Sequence, residues 1–154
     1  MENVWDYPRP PALEPCERRV RIELGGVVIA DSSAALRALE TSHPPTIYVP
    51  PQDIAAGALR PVRGRRSFCE WKGDAHYYDV AGGARVEPAA AWAYAAPATR
   101  YAALKDHVAF YPSRMDGCWL GDEQVQSQEG DFYGGWITAE LQGPFKGAPG
   151  TLGW

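Results

Sequence analysis

Val20-Arg21-Ile22-Glu23-Leu24-Gly25-Gly26-Val27-Val28-Ile29-Ala30 is the stretch from which the fold is read. Val20, Ile22 and Leu24 alternate with Arg21 and Glu23, the period-two pattern of a strand with one buried and one wet face. Gly25-Gly26 then offers a two-residue turn, in which positive φ costs glycine little. Val27 to Ala30 returns as the partner strand. The hairpin sets a β reading for what lies on either side of it.

The composition agrees. Glycine (16) and proline (14) make up about a fifth of the 154 residues, and six Trp, eight Tyr and four Phe add the aromatic content. Many turns with many rings fit short strands better than a helical bundle. Hydrophobic residues are 45% and charged residues 22%, ordinary values for a globular chain of this length, which buries about two-thirds of its unfolded surface. No apolar run approaches the roughly 18 residues of a membrane span. The opening MENVWDYPRPP lacks the basic start and apolar stretch of a signal peptide. A net charge of −4 gives no general attraction to nucleic acid or anionic lipid, so neither is expected as a partner. Cys16, Cys69 and Cys118 are odd in number and widely spaced, without a CxxC pair. No structural zinc or other metal is expected, nor a disulfide framework, and free thiols suit a reducing cytoplasm.

Outward from the hairpin, Asp31, Ser32 and Ser33 stand as N-cap residues before Ala34 to Glu40. That stretch predicts about two helical turns, ended by His43-Pro44-Pro45. Thr46 to Val49 reads as a strand and Gln52 to Leu59 as a short helical turn. Arg60-Pro61-Val62-Arg63-Gly64-Arg65-Arg66 reads as a solvated basic loop. Ser67 to Lys72 and Ala75 to Val80 are strand candidates around Gly73-Asp74, and Gly82-Gly83 is a second hairpin turn. Ala84 to Val86 and Ala90 to Tyr94 continue the β pattern. Tyr101, Leu104 and Val108 mark a short amphipathic helix from Thr99 to His107. Val108 to Tyr111 enters the core, and Cys118 to Val125 forms a late hairpin around Gly121-Asp122-Glu123. The expected class is therefore mainly β, with compact twisted antiparallel sheets and two or three short helices. Residues 1–18 form an extended proline-rich arm and 19–126 the β domain. The glycine- and aromatic-rich segment 127–154 is an irregular tail packed on that domain through Phe132, Tyr133, Trp136, Phe145 and Trp154.

Cys69-Glu70-Trp71-Lys72-Gly73-Asp74-Ala75-His76-Tyr77-Tyr78 carries the densest chemistry: a thiol, an ammonium, carboxylates, an imidazole and rings. Strand alternation puts Cys69 and Trp71 on one face and Glu70 and Lys72 on the other. One face then either lines a cleft with Trp71 as its floor or is filled core, since a buried Cys packs as a small hydrophobe. Trp92 and Tyr94 share a face opposite small alanines, which suits close packing or a lined cavity. Cys69 as a nucleophile needs a nearby cation to lower its pKa, and His76 or His107 reaches it only through the fold. His43 reads as a loop residue. Asp116 and Asp122 are too loosely placed for paired-carboxylate chemistry. No Walker loop, G-x-G-x-x-G or H-E-x-x-H occurs, and no cofactor is expected.

These residues also carry a resemblance. Gly26-Val27-Val28-Ile29-Ala30-Asp31-Ser32, His43-Pro44-Pro45 with Tyr48-Val49-Pro50, and Cys69-Glu70-Trp71-Lys72-Gly73 followed by Tyr77-Tyr78 match a known pattern. Ala90-Ala91-Trp92-Ala93-Tyr94 and Val108-Ala109-Phe110-Tyr111 extend it. Over residues 19–126 the chain resembles the bacterial family catalogued as domain of unknown function 427. Its ends, Trp5-Asp6-Tyr7-Pro8 and Phe132 to Gly147, look like those of longer members. The resemblance implies a compact, strongly twisted β fold similar to the Mss4-like group, some of whose proteins bind zinc through CxxC pairs and others use a cysteine in sulfoxide reduction. The CxxC pairs are missing here.

Three functional readings follow. The first is a small-molecule site walled by Tyr48, Trp71, Tyr77 and Trp92 beside Cys69, with Lys72 or Arg60 as counter-charge to an anionic ligand. The second is a thiol-dependent enzyme using Cys69. The third is an interaction protein whose aromatic tail docks on a partner or on a second copy in a homodimer.

Overall fold

The structure, a computed structural model, describes residues 1–69, 71–130 and 132–154, with Arg65 described by its backbone alone. Glu70 and Asp131 lie outside the described residues. Lys72, expected on a strand face with Glu70, is instead in the turn that follows the strand over residues 59–69.

Strands dominate. In chain order they are β1 (Glu2–Asn3), β2 (Ala12–Pro15), β3 (Val20–Leu24), β4 (Val27–Ser32), β5 (Leu36–Leu39), β6 (Thr46–Tyr48), β7 (Leu59–Cys69) and β8 (Gly73–Gly82). There follow β9 (Arg85–Ala93), β10 (Val108–Phe110), β11 (Gly117–Leu120), β12 (Glu123–Gln124), β13 (Gln126–Ser127), β14 (Trp136–Ile137) and β15 (Leu141–Gln142). They form two antiparallel four-stranded sheets, ordered β10-β9-β8-β7 and β12-β11-β3-β4, and a three-stranded sheet β2-β5-β6. β13 pairs with β14, and β1 runs parallel to β15. Val49 and Val108 exchange two backbone hydrogen bonds of 2.8 and 2.9 Å, so the three-stranded sheet continues onto β10.

The β3–β4 hairpin turns at Gly25-Gly26 as its sequence predicts, with Leu24 opposite Val27. The second glycine hairpin packs against the first backbone to backbone. A Cβ on Gly25 would lie 1.9 Å from the Gly82 carbonyl oxygen, and one on Gly83 2.2 Å from that of Gly25. Asp116 ties the pair together, its carboxylate accepting from the Gly26 amide at 2.9 Å and from Arg85 at 2.7 Å.

The helices differ from expectation. Helical residues among those described are confined to four 3-10 turns at Val4–Asp6, Pro51–Asp53, Thr99–Leu104 and Pro112–Arg114. The two helical turns predicted over Ala34 to Glu40 are instead β5. A helix that short is marginal on its own, whereas here β2 and β6 offer backbone partners on both sides. The strand also suits the side chains: Ala38 and Leu39 are buried while Arg37 bonds Glu2 and Glu14. Ser32, read as a cap, turns the chain by accepting from the Ala34 amide and donating to Asp53 at 2.6 Å. At Thr99–Leu104 the buried Tyr101 and Leu104 stand three residues apart, the spacing that a 3-10 turn aligns on one face.

Two further expectations are corrected. The basic loop is part of β7, which breaks register between Pro61 and Arg66 and takes positive φ at Gly64. The irregular aromatic tail is also not what forms. Residues beyond Gly130 supply β14 and β15, and Trp136, 1% exposed, enters the main core and donates its ring N–H to the Phe110 carbonyl at 3.3 Å. Among the described residues no helix is long and apolar enough to cross a membrane.

The interior divides along β9. Ala90, Ala91 and Ala93 face the main core with Ile22, Leu24 and Phe110. Trp92 and Tyr94 face the other way into a second cluster with Tyr48, Tyr77, Tyr101 and Leu104. That aromatic layer is where the molecule leaves space.

Candidate functional site

A cavity of about 430 Å³ opens beside the aromatic layer. Its size lies within the ~300–1,000 Å³ usual for small-molecule sites. Neighbouring strands supply its walls. Tyr77 on β8 stands directly across from Trp92 on β9, and Tyr48 at the end of β6 is brought in by the Val49–Val108 junction. Cys69 ends β7, and Trp71 and Lys72 occupy the turn into β8, not Gly73-Asp74, which are already strand. The Ala98 amide fixes that turn by donating to the Lys72 carbonyl at 2.9 Å.

Lys72 is only 9% exposed, and its Nζ lies 6.0 Å from the centre of the Tyr48 ring. Among the described residues no carboxylate pairs with it and no hydrogen bond holds it. Tyr48 is fully buried, which pushes its hydroxyl pKa up. The Tyr94 hydroxyl and the Trp92 indole approach Tyr48 Oη without reaching hydrogen-bond geometry, leaving it unpartnered.

The opposite wall is built by residues distant in sequence. His43 Nδ1 accepts from Gln128 Nε2 at 3.2 Å, and its ring meets Tyr133 edge-on at 4.9 Å. Gln128 also donates to the Lys146 carbonyl at 2.6 Å and accepts from the Gly135 amide at 3.1 Å. This one buried amide thereby anchors the C-terminal segment over the cavity. Burial, with the nearby charges of Lys146, Lys72 and Arg9, pushes the His43 pKa down to about 4. The ring is neutral at pH 7, so its 3.7 Å approach to Glu40 is not an ion pair. Lys146 Nζ sits 5.3 Å from the Tyr133 ring centre. Arg9, at the mouth, donates to the Thr41 and Trp154 carbonyls at 3.1 Å each.

Six of the seven residues singled out from sequence therefore line one cavity: Tyr48, Cys69, Trp71, Lys72, Tyr77 and Trp92. Arg60 does not. Leu59 packs toward the core, so alternation turns Arg60 out to solvent, where it is exposed. Neither His76 nor His107 lines the cavity. Cys69 is half-buried on the wall, whereas Cys16 and Cys118 are buried and burial raises both thiol pKa values. Sequence reasoning missed His43, Gln128 and Lys146, which come together only through contacts far apart along the chain. Among the described residues no three His, Cys, Asp or Glu side chains converge as a metal site.

No curated protein matches the chain. A family described as a domain of unknown function (DUF427) matches residues 12–121. That span contains Tyr48, Cys69, Trp71, Lys72, Tyr77 and Trp92, whereas Arg9, Gln128, Tyr133 and Lys146 lie outside it. With most of its length matched, including the strands that build the aromatic layer, the chain belongs to the DUF427 family.

Proposed function

We propose that this domain binds a small molecule in the cavity between β6, β8 and β9, acting in the cytoplasm without a nucleic-acid or membrane partner. The observation that carries the reading is the cavity itself, where the rings of Tyr48, Trp71, Tyr77 and Trp92 share the lining with polar and charged side chains such as His43, Lys72 and Lys146. Rings supply apolar contact, and the polar and charged groups among them set orientation. Trp71, Trp92 and Trp154 all line the cavity, which makes intrinsic fluorescence a direct reporter. A metabolite library screened by fluorescence and thermal shift is expected to yield ligands that raise Tm and lose their effect in Trp92→Ala. A broad library with no such ligand would sink the reading.

A second reading, a thiol-dependent enzyme, is favoured by the half-buried position of Cys69 on that wall. It predicts saturable alkylation of one thiol at neutral pH in the folded protein, and alkylation only after denaturation would remove it. A third, self-association as a homodimer, draws on Phe132 and Leu152, both exposed on the C-terminal segment. Light scattering that gives a monomer mass would exclude it.

A further inference from the structure

The charges around the cavity do not follow those of the chain. The molecule carries a net −4, yet among the described residues the side chains lining the cavity include Arg9, Lys72 and Lys146 against one acidic side chain, Glu40, while Arg9 also bonds the Trp154 main-chain oxygen. Lys72 is the most telling of these. Its side chain is largely buried and, among the described residues, its ammonium has the Tyr48 ring beside it but no carboxylate or hydrogen-bond partner. That arrangement is costly, and the ammonium borders open space near a buried hydroxyl, Tyr48 Oη, that is unpartnered. Lys146 approaches from the other wall, held by the bond from Gln128 to its carbonyl. The positive potential acts on His43, whose ring is kept neutral by burial and by these same three cations. Trp92 and Tyr94, both largely buried, offer ring surface alongside.

Building on the small-molecule reading, we propose that the ligand is a small organic anion with a planar ring, its acid group held between Lys72 and Lys146 and its ring lying against Trp92 and Tyr94. The acid group supplies the counter-charge that Lys72 lacks among the described residues, and a charge-assisted hydrogen bond to an ammonium is stronger than a neutral one. The C-terminal segment then does more than cover the site. It brings Lys146, the second cation, from outside the part of the chain that matches the family.

The test is a fluorescence titration of the full chain with phenyl phosphate, benzoate, benzyl alcohol and benzylamine, with inorganic phosphate alone as a fifth probe. Phenyl phosphate or benzoate is expected to bind about tenfold or more tighter than benzyl alcohol, a typical effect of one charge-assisted contact. Which of the two is preferred tells a phosphate from a carboxylate. Inorganic phosphate is expected to bind more weakly than phenyl phosphate, and benzylamine not at all. Lys72→Gln and Lys146→Gln should each weaken the anions about tenfold and leave benzyl alcohol unchanged, while Arg60→Gln should change nothing. Should a lysine variant not fold, raising the salt on the unmodified protein should weaken the anions alone. Benzyl alcohol binding as tightly as the anions would overturn the anion assignment and leave the small-molecule reading standing. Silence from all five probes overturns the assignment, and silence from the metabolite library as well overturns the reading beneath it.

Discussion

Ser42 occupies an uncommon position for a residue with a side chain. Its φ is +72° in the left-handed region, it is fully buried, and its hydroxyl has no partner. Each feature is unfavourable, the first by roughly 1 kcal/mol. Ser42→Gly removes the backbone strain and the unpartnered hydroxyl and is expected to stabilise the fold by about 1 kcal/mol in a denaturant titration. Lys72 illustrates the same tension. Lys72→Met keeps the apolar stem and removes the charge, so Tm should rise while anion binding weakens about tenfold, the trade expected where a site is maintained against stability. His43 gives a pH dependence. Its pKa is about 4 when folded against 6.5 as the ordinary value, so between those values the unfolded chain binds the extra proton. Stability is therefore fully present above about 6.5 and drains away as pH falls toward about 4, by roughly 3 kcal/mol in all. His43→Gln should flatten that part of the stability–pH curve, and an unchanged curve would show that other groups carry it.

At the scale of elements, the two glycine hairpins make the sharpest prediction. Gly25→Ala places a methyl group inside the Gly82 carbonyl at positive φ, and should cost about 3 kcal/mol or more in chemical denaturation. Gly26→Ala, with nothing within 4 Å, should cost only the backbone strain of about 1 kcal/mol. Both turns are legible in the sequence because a Gly-Gly pair between alternating strands is a local signal. That they touch is not legible, since the contact joins residues more than fifty apart. β5 shows the reverse failure. Its residues carry good helix propensity and a good cap, and tertiary pairing with β2 and β6 overrides both. Asp116, read as a loose carboxylate, is a clasp between turns, a role visible only once the turns meet.

For the molecule as a whole, the C-terminal segment is structural before it is anything else. Trp136 is buried in the main core, so Trp136→Ala should cost about 3–5 kcal/mol, and removing the residues beyond 127 should unfold the chain instead of trimming it, as circular dichroism would report. Part of the cavity's floor was readable from sequence because Tyr77 and Trp92 lie on adjacent strands whose alternation can be followed residue by residue, whereas Trp71 and Lys72, read as opposite faces of a strand, sit in the turn into β8 and both line the cavity. The roof was not readable, because His43, Gln128 and Lys146 answer to no common period. The same geometry links distant parts of the chain in time. Ser42 donates its amide to the Val4 carbonyl at 3.1 Å and accepts at its own carbonyl from the Lys146 amide at 2.8 Å, while β1 lies alongside β15. Loosening either terminus removes the support of the other, so both should breathe as a single unit. Deuterium uptake at Ser42 and at Lys146 should then proceed at matching rates, and an occupant wedged beneath them should slow both together.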